Sequence, residues 1–161
     1  MIALRFEAEI EASAERVFAL LANLRGYDLW LPRSRAWRGT SHISPGPIRL
    51  GTTYVEPGGF GVRHGRVTEF DPPTRIGFEQ PMTSRRRVLG VIGIRLAHTL
   101  TPEGQGVRLL RVLELEPRGP ARIAMPLLIL PFRAENARVL RALKSFAERE
   151  SRHTWSRVRT K

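Results

Sequence analysis

Cysteine is missing from the 161 residues, which excludes a disulfide framework, a thiolate nucleophile and a thiolate metal site. Long apolar runs are missing too: the longest, residues 123–132, contains two prolines and falls far short of the roughly 20 residues that a membrane-spanning helix needs. The first ten residues alternate charged with apolar side chains and lack the apolar core of a signal peptide. These absences favour a cytoplasmic location.

Side chains for acid–base and metal chemistry are also sparse. Aspartate occurs only at Asp28 and Asp71, both in predicted turns. The four histidines are far apart in the sequence and lack the spacing of metal ligands. The sequence therefore predicts no metal, no cofactor and no catalytic residue set.

The net charge is strongly positive, +12 at neutral pH. Such a charge is compatible with an anionic partner, either a nucleic acid or an acidic membrane surface. Lysine, however, occurs only at Lys144 and Lys161, so arginine supplies nearly all of the 27 basic residues. That bias, with abundant alanine, glycine and proline, is typical of GC-rich coding, and we favour this interpretation of the charge.

The N-terminal region predicts one strand followed by two short helices. Apolar residues alternate with charged residues from Ile2 to Ile10, which is the period of a half-buried strand. Ser13 is a suitable N-cap for a helix that Gly26 ends. Residues 27–31 predict a second helical turn, which the following proline stops.

Six more strands and one long helix follow. The predicted strands are residues 35–43, 52–57, 62–70, 75–80, 87–101 and 107–116. Short turns between successive strands indicate an antiparallel meander. Apolar residues then recur at helical spacing and predict a helix over 131–152, with Pro126 and Pro131 breaking or kinking its start.

These elements predict a single α+β domain over residues 1–150, with 151–161 as a basic C-terminal tail that we expect to fray. A curved antiparallel sheet has an apolar face to cover, and only the C-terminal helix is long enough to cover it. A helix laid across a bent sheet leaves space that ordinary side chains do not fill, so we expect a pocket between them.

Five motifs occur in the order that this arrangement requires. They are ASAERVFALL at 12–21, YDLWLP at 27–32, GRVTEFDPP at 65–73, HTLTP at 98–102 and NARVLRALKSFAERE at 136–150. With them the chain resembles the START-like, or SRPBCC, superfamily, and within it the polyketide cyclase/dehydrase group. The resemblance implies a helix-grip fold with a ligand cavity, in a superfamily that includes lipid carriers, aromatic cyclases and hormone receptors.

Strand alternation places His98 on an otherwise apolar inward face. Arg111 shares one face of the last strand with Leu109, Leu113 and Leu115, and if that face points inward, Leu110 and Val112 face outward. His98 is either a polar contact or base for a ligand, or a core histidine bonded to a carbonyl. Arg111 must meet a carboxylate, a ligand anion or solvent, because an unpaired buried charge is costly. The predicted ligand-contacting residues are Tyr54, Phe78, Ile94, Leu96, His98, Leu109, Arg111, Met125, Phe132 and Asn136.

Three functions fit these features, the first being favoured: binding or transport of a hydrophobic lipid, polyketide or aromatic molecule by a monomer or homodimer. The second is a polyketide cyclase or dehydratase, in which His98 or Arg111 steers protons or an enolate. It would require His98 and a second polar group to converge in the cavity. The third is a basic module on an anionic membrane or nucleic acid, contacting it through Arg138, Arg141 and Lys144.

Overall fold

The chain begins with the predicted strand and two short helical segments in the structure, a computed structural model that describes residues 1–85 and 90–158. Strand β1, Ile2–Ile10, alternates as expected, with its apolar residues turned toward the core. Helix α1, Ala14–Ala22, starts at Ser13, whose side chain accepts a hydrogen bond from the Arg16 amide over 3.2 Å. The second segment is a 3₁₀ helix, Leu24–Leu29, which begins earlier than predicted. Gly26, which was expected to end the first helix, lies inside this second segment.

The sheet has seven antiparallel strands, which confirms the predicted α+β arrangement. The strands after β1 are β2 Thr53–Pro57, β3 Gly61–Asp71, β4 Arg75–Glu79, β5 Met82–Ser84, β6 Val91–Glu103 and β7 Gly106–Pro117. Their order across the sheet is β1-β7-β6-β4-β3-β2, and β5 pairs with β3 and β6. The two longest strands, β6 and β7, pair along their whole length and form the centre of the curved sheet.

The strand predicted over residues 35–43 is wrong. This segment lies beside β2. The amides of Arg38, Ser41 and Ser44, which are spaced three residues apart, donate hydrogen bonds to carbonyls of β2. Gly39 and His42, however, have positive φ angles of 116° and 49°, which interrupt an extended backbone. A single bridge between Ser41 and β2 is therefore the only strand-like pairing of this segment.

Strand β5 was not predicted. It continues the line of β4 beyond Pro81, since both strands lie between β3 and β6. Proline has no amide hydrogen for the ladder, so the line of β4 and β5 is interrupted there. The predicted strand 87–101 corresponds to β6, which begins at Val91, and residues 87–89 of that prediction lie outside the described residues.

Helix α2, Ala121–Val158, is longer than predicted at both ends. Pro126 and Pro131 lie inside it and do not mark its start. Each removes the donor for a carbonyl four residues earlier, at Arg122 and Leu127. Both of those residues are exposed, so water can satisfy these carbonyls. The chain is helical as far as residue 158, where we expected a tail from residue 151, and residues 159–161 of the predicted tail lie outside the described residues.

The second half of α2 is held firmly against the rest of the domain. Its buried face carries Val139, Leu140, Leu143 and Ala147. Polar contacts reinforce the packing, because Glu148 accepts a hydrogen bond from the amide that follows β1 and Lys144 bonds a carbonyl of β1. The first half of α2 lies over the sheet without this filling, and the space between them is the site described next.

Candidate functional site

A cavity lies between the inner face of the sheet and the first half of α2. The centre of a water molecule can occupy about 110 Å³ of it. An apolar cavity of roughly 150 Å³ is known to hold one benzene molecule, so this space is of the size that accepts a small organic molecule. The described residues that line it are Leu21, Tyr27, Trp30, Leu31, Ala36, Trp37, Tyr54, Glu56, Phe60, Gly61, Arg63, Phe78, Gln80, Met82, Ile94, Leu96, His98, Arg111, Leu113, Leu128, Pro131, Phe132, Glu135, Asn136 and Val139.

Strand pairing brings two of the predicted polar residues together on the cavity wall. His98 on β6 lies directly opposite Arg111 on β7, so both side chains leave the sheet on the same face. Arg111 Nη1 lies 2.8 Å from His98 Nε2. Arginine can only donate, so Nε2 is the acceptor and the neutral imidazole carries its proton on Nδ1.

Asn136 of helix α2 contacts the same guanidinium from the other side of the cavity. Arg111 Nε donates to Asn136 Oδ1 over 2.9 Å, and Asn136 Nδ2 donates to the Phe132 carbonyl one turn earlier over 2.8 Å. The helix therefore fixes the amide with its oxygen toward the arginine. His98, Arg111 and Asn136 are only 2%, 9% and 6% exposed. We call these three residues the arginine cluster.

Burial and mutual repulsion set the charges of the arginine cluster. Burial lowers the pKa of Arg111 to about 10, although Tyr27 and Glu56 oppose the change. Arg111 therefore remains a cation at neutral pH. Burial, and then the charge of Arg111, hold the pKa of His98 well below its usual 6.5, despite a contact with the Ile76 backbone that raises it. His98 is therefore neutral, and the cluster carries a single positive charge.

A second arginine, largely but not fully buried, lines the cavity with its own counter-ion. Arg63 on β3 lies opposite Glu56 on β2, and Arg63 Nη2 is 3.2 Å from Glu56 Oε2. The other carboxylate oxygen, Oε1, accepts hydrogen bonds from Trp37 Nε1 at 3.3 Å and Thr40 Oγ1 at 3.0 Å. The prediction of site residues missed this pair. Glu56 has the same strand parity as the predicted inward residue Tyr54, and that signal could have identified it.

The fourth charged residue on the cavity wall, Glu135, is also paired. Arg138 donates to both of its oxygens, at 2.9 and 2.7 Å, and Ser34 donates at 3.0 Å. Burial raises the pKa of Glu135, but the hydrogen bonds from Arg138 and Ser34 outweigh it and the net change is a lowering. Glu135 is therefore an ionised carboxylate whose charge is balanced at the rim.

The basic face predicted on α2 is largely engaged within the protein. Arg138 bonds Glu135 and also the Pro32 carbonyl, the latter at 2.7 Å. Lys144 pairs with Glu148 at 3.3 Å and bonds a carbonyl of β1. Of the three residues assigned to this face, only Arg141 is exposed. These contacts weaken the interpretation of this face as a surface for membranes or nucleic acids.

Aromatic rings form much of the remaining wall. The ring of Phe78 packs edge to face against Tyr54 on one side and His98 on the other. The ring centroids are 6.1 Å apart in the first pair and 6.0 Å apart in the second. Gly65 on β3 makes room for the first ring, because a Cβ at this position would overlap Tyr54. Trp30 lies at the wall with its Nε1 buried and without a hydrogen-bond partner among the described residues.

The structure places most of the predicted ligand-contacting residues on the cavity wall. Those on the wall are Tyr54, Phe78, Ile94, Leu96, His98, Arg111, Phe132 and Asn136. Leu109 does not reach it, because the Arg111–His98 pair forms that end of the wall and Leu109 is buried beyond it. Met125 does not reach it either, since it lies one turn before Leu128, the first wall residue of α2, and is buried in the core.

Two other features are absent from the described residues, a cluster of metal ligands and a membrane-spanning helix. No group of three or more histidine, aspartate or glutamate side chains in residues 1–85 and 90–158 is placed to hold a metal ion. Within the same residues, no helix combines the length and hydropathy needed to span a bilayer.

Comparison with known proteins identifies the family. The sequence model described as "Polyketide cyclase / dehydrase and lipid transport" matches residues 1–148. The match covers the whole sheet and most of α2, including every residue of the cavity wall. None of the curated proteins searched matches the chain.

Solved structures share the fold at low sequence identity. A point mutant of norcoclaurine synthase from Thalictrum flavum, in complex with a transition-state analogue, has a TM-score of 0.70 at 15% identity, covering 93% of this chain and 96% of that one. A Mesorhizobium loti protein reaches 0.67 at 15% identity over 92% and 98%. The Aha1 dimer of Colwellia psychrerythraea reaches 0.63 at 16% identity over 92% and 97%. At these identities the likeness shows the fold alone.

Proposed function

We propose that this chain, which belongs to the polyketide cyclase / dehydrase and lipid transport family, binds a hydrophobic small molecule in the cavity between its sheet and α2. The observation that carries the proposal is a cavity whose wall is mostly aliphatic and aromatic, with one cationic cluster at its end. Such a combination is typical of sites in which apolar contacts supply affinity and a few polar groups fix orientation.

The size of the cavity limits the ligand to a slender or single-ring molecule. A volume of about 110 Å³ is comparable with the roughly 150 Å³ of an apolar cavity that binds benzene, and it suits a slender acyl chain or a single small ring. The fold neighbours support this kind of use, because norcoclaurine synthase carries a transition-state analogue in a domain of the same architecture. We propose that the protein acts in the cytoplasm, as a monomer or homodimer, and carries or sequesters its ligand.

A second candidate function, a cyclase or dehydratase, is favoured by one specific observation. His98 and Arg111 converge on the cavity within hydrogen-bond distance, 2.8 Å. His98 is a poor general base in this arrangement, because Nε2 already accepts from Arg111. The cluster would instead stabilise negative charge that develops on an enolate, with Arg111 as the electrostatic group.

Binding is tested by filling the cavity at one strand position and comparing a matched position. Leu113 lies on the cavity wall, whereas Leu109 lies on the same face of β7 but is packed in the core. Leu113→Phe should fold with little loss of stability and weaken binding of octan-1-ol and methyl octanoate by at least about tenfold in calorimetric titrations. Leu109→Phe should lower the free energy of unfolding by about 1–3 kcal/mol through overpacking and leave the affinity of the folded fraction unchanged.

Two results would contradict the proposal. One is wild-type affinity for both probes in Leu113→Phe. The other is no binding of any apolar probe by the wild-type protein, together with no co-purifying molecule in native mass spectrometry. Turnover of a polyketide-like ketone, lost in Arg111→Met and retained in Arg95→Met on the outer face of β6, would favour the cyclase alternative.

A further inference from the structure

The charges on the cavity wall sum to zero, but they are not all paired with one another, because one wall carboxylate is bonded to an arginine outside the wall. Four charged side chains of the described wall are Glu56, Arg63, Arg111 and Glu135. Glu56 pairs with Arg63 at 3.2 Å, and Glu135 pairs with Arg138 at 2.7 Å. Arg111 is the one left without a bonded carboxylate among the described residues, so the cavity holds one positive charge that no protein anion contacts.

The partners of Arg111 hold it in place without neutralising it. Asn136 Oδ1 and His98 Nε2 each accept one hydrogen bond from it, and both groups are uncharged. Its second terminal nitrogen, Nη2, makes no hydrogen bond to the described residues, and the side chain lies on the cavity wall. A guanidinium has five donors in a fixed planar arrangement, so several remain for a group inside the cavity.

From this arrangement we infer that the ligand of the proposed site carries a carboxylate, which Arg111 binds at the end of the cavity while the apolar part lies along β6 and α2. The inference rests on the proposed function. A planar carboxylate matches the donor pattern of a guanidinium, and its single negative charge equals in size the charge of Arg111, to which no carboxylate of the described residues is bonded. A phosphate monoester, with nearly two charges at neutral pH, would leave the cavity with uncompensated negative charge.

The position of Arg111 favours an amphiphile over a uniformly polar anion. The wall residues that lead away from the cluster along the strands, Leu113, Leu96 and Ile94, are all aliphatic. Neutral His98 adds no second charge that would recruit a dianion. The lowered pKa of Arg111 is consistent with a cation held in the absence of its counter-ion, and a bound carboxylate would restore that pKa.

The test compares three ligands with one chain length: octanoate, methyl octanoate and octan-1-ol. Calorimetry on the wild-type protein should show octanoate binding at least about tenfold more tightly than either neutral probe. Arg111→Met should remove this preference and keep the affinity for octan-1-ol. Arg95→Met, an exposed arginine on the opposite face of the sheet, is the matched control and should keep the preference.

The outcomes separate this inference from the proposed function. Neutral probes that bind as tightly as octanoate, or a preference that persists in Arg111→Met, would overturn the inference while leaving a hydrophobic site. If none of the three ligands binds, the proposed function fails.

A second measurement needs no variant and covers the case in which Arg111→Met does not fold. With octanoate carrying ¹³C at its carboxyl carbon, NMR titration of the bound ligand should show a carboxyl pKa at least about one unit below that of free octanoate. A bound carboxyl that titrates at or above the free value would exclude contact with the cation.

Discussion

Arg63 and Arg111 line the same cavity, yet their surroundings differ. Arg63 lies opposite Glu56 across two strands and bonds its carboxylate. Arg111 on β7 lies opposite His98 on the neighbouring strand β6. Among the described residues it bonds only that imidazole and the Asn136 amide. In both cases cross-strand pairing selects the partner, so the residue opposite each arginine decides whether the charge is balanced within the protein.

The difference assigns different roles to two similar residues. A buried ion pair whose carboxylate is further bonded by Trp37 and Thr40 contributes mainly to the structure of the wall. A buried cation whose partners are uncharged lowers the stability of the ligand-free protein. Its charge remains available to bind an anionic ligand that enters the cavity. Substitutions at the partners should therefore affect the two arginines in opposite ways.

The largest effect is expected when Arg63 is deprived of its counter-ion. Glu56→Gln keeps the shape and one acceptor but leaves Arg63 as an uncompensated buried charge, which should lower the free energy of unfolding by about 3–5 kcal/mol in urea denaturation. Glu103→Gln is the matched control, because the Glu103–Arg108 pair is 49% exposed on both sides. That control should cost about 1 kcal/mol or less. Equal losses in both variants would mean that the buried pair is not structural.

The next effect is a pH dependence that His98 imposes. Its pKa is lowered in the folded protein, so the unfolded chain binds a proton below about pH 6.5 that the folded chain does not. Stability should therefore fall with decreasing pH below that point by about 1.4 kcal/mol per pH unit, until the lower folded-state pKa is reached. His98→Gln keeps an acceptor for Arg111 and should lack this component.

The measurement is the difference in unfolding free energy between wild type and His98→Gln at several pH values. Other groups titrate in both proteins and cancel in the difference. A difference that stays constant from pH 7 to about pH 5 would show that the pKa of His98 is the same in the folded and unfolded protein, which contradicts its lowering by burial.

The sequence predicts which side of a strand faces the core better than it predicts which residues lie opposite each other on neighbouring strands. Alternation along β6 and β7 correctly placed His98 and Arg111 on the inner face, because the period of a strand is a local property. Their contact depends on register, which the hairpin turn sets. A two-residue loop, Gly104 and Gln105, joins the strands and fixes His98 opposite Arg111. Placing that turn would have predicted the pair.

The remaining errors arise where the tertiary structure overrides a local signal. Pro126 and Pro131 were expected to disrupt the start of the helix, but the carbonyls that they leave without a donor belong to the exposed residues Arg122 and Leu127, so α2 continues through both prolines. The segment 35–43 has apolar and β-branched residues, yet it lies beside β2 with two left-handed residues that its pattern does not reveal. Glu56 was missed although it shares the strand parity of Tyr54, because parity on a short strand does not by itself show that an acidic side chain is buried.

A smaller effect on stability is expected from removing the unbalanced cation itself. Arg111→Met deletes a charge that burial disfavours, but it also leaves the acceptors of His98 and Asn136 without their donor. These contributions oppose each other, so the free energy of unfolding should change by about 2 kcal/mol or less in either direction. Urea denaturation beside Glu56→Gln measures the contrast. A loss as large as that of Glu56→Gln would mean that Arg111 is structural in the same sense as Arg63.

The smallest change in stability, and the sharpest test of the comparison, is expected from Asn136→Asp. The substitution places a carboxylate where an amide oxygen now lies 2.9 Å from Arg111 Nε, so Arg111 acquires the kind of partner that Arg63 already has. The gain is offset by the lost hydrogen bond to the Phe132 carbonyl, and the free energy of unfolding should change by about 1 kcal/mol or less.

Octanoate should then lose its advantage in affinity over octan-1-ol, because the positive charge of Arg111 is already balanced by the new carboxylate. Asn136→Gln, which adds no charge, should keep part of that advantage. If Asn136→Asp folds and still prefers octanoate as strongly as wild type, the lack of a protein counter-ion is not what prepares Arg111 for an anion.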